Sequence, residues 1–135
     1  MTSAQTTPAT ASAIHDLECL DTGVTLTFPD AFAMSAAIIE TLRELSDAER
    51  AETIGDMTFF ATFIRATPEE ARAHHRFWKT LAKLFSYETE HPNAERGDAA
   101  WHEARHLERM AAAHLDSAGV RELHLPGCAT FTTVH

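Results

Sequence analysis

Residues 67–87 read TPEEARAHHRFWKTLAKLFSY. Thr67 stands where a helix N-cap stands, Pro68 takes the first helical position, and Glu69 and Glu70 sit at the positive end of the helix dipole. Beyond them His74, Trp78, Leu81 and Phe85 recur at spacings of four, three and four, which a helix gathers onto one face. The segment therefore predicts an amphipathic helix running to about Tyr87, with His74 in the middle of its apolar face. A second stripe, Arg72, Arg76, Lys79 and Lys83, repeats at the same spacing on another face and holds both lysines of the chain. Two readings apply to it: a solvated face paired with carboxylates of a neighbouring helix, or a docking surface for an acidic partner.

The same signals extend outward. Upstream, Ser46-Asp47-Ala48-Glu49 is a capping box that opens a second helix, whose later part, MTFFATFI at 57–64, also has the composition of a strand. Asp30 caps an earlier helix over 31–45, in which Met34, Ile38, Leu42 and Leu45 keep helical spacing. Downstream, His91-Pro92-Asn93 breaks the chain, and a fourth helix runs from Asn93 or Asp98 to Ser117, with Gly119 suited to a left-handed residue past its end. Val24, Leu26 and Phe28 alternate with threonines as in a half-buried strand, and 14–20, 121–125 and 128–134 read as further short strands, the last two around Pro126-Gly127. The fold class expected is α+β, mainly helical: about four amphipathic helices, with short terminal β-strands forming a small sheet beside them. Residues 1–13 are small, polar and uncharged and read as a disordered tail, which leaves 14–135 as a single globular domain.

Composition narrows the function classes. A chain of 135 residues with 44% hydrophobic and 23% charged residues suits one ordinary core. Its net charge of -9 repels phosphate backbones, so direct nucleic-acid binding is not expected. No run is long and apolar enough for a membrane span, and the N-terminus lacks the pattern of a signal peptide, so a soluble, cytoplasmic protein is expected. Cys19 and Cys128 are far apart and form no CxxC pair, which removes zinc-knuckle and dithiol chemistry. Nine histidines are the compositional oddity.

The one named signature is His102-Glu103-Ala104-Arg105-His106, an HExxH match. On a helix that spacing sets two imidazoles one turn apart for a metal while the glutamate activates a bound water, and the segment resembles the zinc metalloprotease motif. Followed by Leu115 and Ala118-Gly119-Val120, it also looks like the last helix of DinB-like metal-binding bundles, a resemblance that implies His102 and His106 as two of three histidine ligands. The first two helices contain no histidine to supply the third, and Arg105 and Arg109 would repel a dication. The helical wheel places Trp101, Ala104, Leu107, Ala111, Leu115 and Ala118 toward the core, and His102 and His106 nearly opposite, beside Arg105, Arg109 and Asp116. No Ser/His/Asp or Cys/His arrangement and no glycine-rich phosphate loop can be assembled from local signatures.

The favoured reading is a non-catalytic accessory protein that binds another protein, through Arg72, Arg76, Lys79 and Lys83 or through the polar face of the fourth helix, with no cofactor. The rival is a zinc-dependent hydrolase with His102, His106 and His114 as ligands and Glu103 as general base. A third reading, from net charge alone, is an acidic mimic that occupies a nucleic-acid-binding partner; the even spread of carboxylates along the chain argues against it.

Overall fold

The computed structural model describes residues 23–64 and 66–126. The expected tail (1–13), the strands expected at 14–20 and 128–134, Gly127 and both cysteines lie outside the described residues. In chain order the elements are β1 (Val24–Thr27), α1 (Ala31–Arg43), α2 (Asp47–Phe60), α3 (Pro68–Glu90), α4 (Ala99–Ser117) and β2 (Glu122–Leu125). This is the mainly helical α+β fold expected from the sequence.

Side chains at the helix ends fix the boundaries. Asp30 accepts the Ala33 amide at 2.8 Å, and Ser46 with Glu49 and Thr67 with Glu70 form reciprocal capping boxes at α2 and α3. α2 leaves the helix after Phe60, and turns carry the chain through Phe63, so MTFFATFI is helical only in its first half. α3 is 23 residues long, about 34 Å at 1.5 Å per residue, and runs one turn past the expected Tyr87. Gly119, with φ of 66°, ends α4 in the left-handed conformation that its position in the sequence suggests.

The helices lie in a row of packed neighbours, α1 against α4, α4 against α3 and α3 against α2. Phe77, Leu81 and Leu84 of α3 are sealed, as are Met34 and Leu42 of α1 and Leu115 of α4. Ala104 and Ala111 are buried on α4, while Trp101, Leu107 and Ala118, which the wheel also placed inward, are only half-buried. Arg105 departs from expectation. The wheel set it on the polar face, yet it is half-buried and bonds Glu88 at 3.1 Å and Glu108 at 2.7 Å; Arg43 meets the same two carboxylates at 2.6 and 2.8 Å. Four partly exposed charges thus tie α1, α3 and α4 together, an arrangement that sets orientation more than stability.

β1 and β2 pair antiparallel, Val24 opposite Leu125 and Leu26 opposite Leu123. Leu123 and Leu125 enter the core, whereas Leu26 is exposed. A Cβ at Gly23 would overlap the Leu125 carbonyl, so only glycine permits this approach.

The Thr67 cap satisfies an amide that has no partner inside the helix. Thr67→Ala is expected to cost about 1 kcal/mol, measured as a lowered urea midpoint at unchanged m-value. An unchanged midpoint would remove the capping assignment.

Candidate functional site

A groove of about 870 Å3 lies between α2 and α3. Its origin lies in side-chain size. Ile54 and Phe85 form the floor, but above them the facing positions are Ala51, Gly55 and Thr58 on α2 and Ala82 and Ser86 on α3, all too small to meet across the gap. Asp47 and Glu90 lie at one end, and Phe59, Thr62 and His75 at the other. Beyond that end Phe63 packs on Phe59 in a tilted arrangement with ring centroids 4.9 Å apart, and the two residues are 42% and 50% exposed. Arg50 reaches inward from α2: its guanidinium bonds the Leu42 and Leu45 carbonyls at 2.9 and 2.8 Å and lies over the Phe85 ring.

Gly55 is the position most specific to this geometry. It lies within α2, where glycine costs about 1 kcal/mol relative to alanine, and its φ is not positive. A Cβ there would meet nothing within 4 Å. Internal packing therefore does not require a glycine; what its bare backbone provides is width in the groove.

The basic stripe of α3 meets the groove at Lys79 and continues on the adjoining face of the helix. Arg72, Arg76, Lys79 and Lys83 are all exposed, and Lys79 itself lines the groove. Among the described residues none of the four makes an ion pair, although the chain as a whole is acidic. The expected pairing with carboxylates of a neighbouring helix is therefore not formed among the described residues.

The histidine-rich face of α4 is arranged differently. His102, Glu103 and His106 are exposed, His102 against the edge of Trp101 with centroids 4.9 Å apart, and His114 is half-buried. Eight helical residues set His114 about 12 Å along the axis from His106, beyond the span of one ion's ligands. Among the described residues no three His, Cys, Asp or Glu side chains converge as metal ligands.

His74 is buried, as its place on the apolar face implied, and its neighbour is His124 of β2, with ring centroids 5.6 Å apart. His124 Nδ1 is 3.2 Å from the Thr25 hydroxyl, so the contact links α3 to both strands. Sequence reasoning missed His124 because the pairing spans fifty residues and depends on where β2 docks. Burial first, and then His124, pushes the His74 pKa down to about 4 against a weaker upward pull from Glu70; burial also lowers that of His124. Both rings are neutral in the folded protein at neutral pH. The groove was likewise not visible in the sequence, although Ala51 and Gly55 at a spacing of four, with Phe59 and Phe63 following at the same interval, are its local trace.

Protonation couples this pair to stability. The unfolded His74 takes up its proton near 6.5 and the folded ring only near 4, so the stabilisation is full above 6.5 and is lost as pH falls toward 4. By pH 5 the loss from this residue is about 2 kcal/mol. Urea denaturation at pH 7 and 5 should show it, and His74→Phe should remove most of the difference; an equal slope in the variant would mean that the ring titrates alike in both states.

Compared with protein-family models, curated proteins and solved structures, the chain matches none of them.

Proposed function

We propose that this chain is a small, non-catalytic accessory protein that works by binding another protein, and that the groove between α2 and α3, with its basic rim, is the docking surface. One observation carries the reading: an apolar groove ends at two exposed phenylalanines in mutual contact, beside four cations that have no partner among the described residues. Isolated exposed apolar side chains are ordinary on a protein surface, whereas a contiguous apolar groove rimmed by charge marks an interaction site. The helix-lined geometry matches the mode in which an element of a partner lies in a groove. The rival hydrolase reading of His102, Glu103, His106 and His114 needs ligands converging in a site that excludes water. The exposed face of α4 offers no such convergence among the described residues.

The test exploits Gly55. Gly55→Leu places a better helix former where a Cβ meets open space, so it should raise stability by roughly 0.5–1 kcal/mol while filling the groove. Immobilised wild-type chain is expected to retain a protein partner that the folded variant does not. Equal retention by both would contradict the groove as the docking surface, and a loss of stability would show that the position is not open.

A further inference from the structure

We infer that the occupant of the groove is an amphipathic helix of a partner protein, about four turns long, with an apolar stripe on one side and a line of carboxylates beside it. This rests on the groove being the docking surface and adds the chemistry of what docks.

The length of the groove suits a helix. The helical part of the α2 wall runs from Asp47 to Phe59, thirteen residues and about 20 Å, which corresponds to nearly four turns of a second helix laid alongside. Its shape suits one as well. The upper walls are Ala51, Gly55, Ala82 and Ser86, so a helix can approach the backbone of α2 closely at Gly55 and present larger apolar side chains to Ile54 and Phe85. Apolar anchors at helical spacing would supply the buried area that such grooves take from their ligands.

Charge sets the class of partner. Arg72, Arg76, Lys79 and Lys83 span twelve residues of α3, about 17 Å from first to last, and present four cations beside the groove at roughly one per turn, Lys79 lining it. A helix in the groove with Asp or Glu at every third or fourth position along that side places carboxylates against Lys79 and toward its neighbours in the stripe. A basic helix would oppose like charges over the same distance. The acidic end, Asp47 and Glu90, adds polarity, because it disfavours a carboxylate-rich terminus there and directs the acidic residues toward the Lys83 to Arg72 segment. A second copy of this chain fits less well. Its α3 would bring like charges together, and of its α2 carboxylates Asp47 pairs with Arg50, Glu49 caps Ser46 and Asp56 is half-buried, which leaves Glu52 as the exposed one with no such engagement among the described residues.

The experiment uses the full chain and two synthetic amphipathic helical peptides of about eighteen residues. They share one leucine stripe and differ only in carrying glutamate or lysine beside it. Backbone amide shifts followed by NMR are expected to move at Ala51, Gly55, Lys79 and Ala82 with the glutamate peptide alone, and raised salt should weaken binding. Lys79→Glu with Lys83→Glu should leave the fold intact and weaken the glutamate peptide roughly tenfold, with Arg72→Glu and Arg76→Glu as an independent pair expected to act in the same direction. Equal binding of both peptides, or binding indifferent to rim reversal, would overturn the acidic class. If Gly55→Leu still abolished partner capture, the docking surface would nonetheless stand. Peptide shifts unaffected by Gly55→Leu would instead count against the groove itself. A wild-type dimer in sedimentation that the rim reversal dissociates would name the second copy as occupant, and amide shifts at the groove on removing residues 1–22 would name that segment; either result replaces the partner helix.

Discussion

Eight side chains of α3 are buried, and they occupy roughly half of its circumference, more than one neighbouring helix can cover. Everything else in the fold answers that requirement. α4 packs along one side of α3, α2 approaches from another by Phe85, and β2 closes the His74 end with His124 and its two buried leucines. α1 completes the row through α4 and, with Arg43, reaches the carboxylate of Glu88 at the far end of α3. A truncation at Leu81, which touches solvent nowhere, would be felt through the whole row.

The same arrangement explains why a groove exists at all. α3 packs on α4 through a broad contact, whereas α2 meets it along a lower seam around Ile54 and Phe85, and the small residues above that seam leave the two helices apart at the surface. Gly55 costs helix stability here, and Gly55 and Ala51 both forgo contacts that larger side chains would make. Electrostatics follow a similar logic at two scales. The net charge of -9 sets a field that repels polyanions at a distance, while the four cations of the α3 stripe favour carboxylates that come close enough to escape screening, within about 8–10 Å.

The helices were legible because their signals are local. Thr67-Pro68-Glu69-Glu70 and Ser46 with Glu49 are start sites whose hydrogen bonds reach three residues, and the structure forms both. The pairing of strands from opposite ends was legible as a class, though its antiparallel direction and its register of Val24 with Leu125 depend on Gly23 and on where β2 meets α3. Arg105 was misplaced for a reason of the same kind: a helical wheel knows the axis of α4 but not that Glu88 of α3 and Glu108 wait beside it. Lys79 was singled out as part of a stripe, yet its position on the wall of an apolar groove is a property of two helices and cannot be read from one. His102 and His106 project outward as their spacing implied, and their exposure adds no partner to the motif.

The location of the docking surface is the central claim, and hydrogen exchange of the free chain against the chain in complex with its captured partner tests it most directly. The account predicts added protection over Asp47–Phe60 and along the Lys79 to Ser86 stretch of α3, with exchange on the exposed face of α4 unchanged. Protection gathered instead around His102 and His106, with α2 exchanging as before, would contradict it.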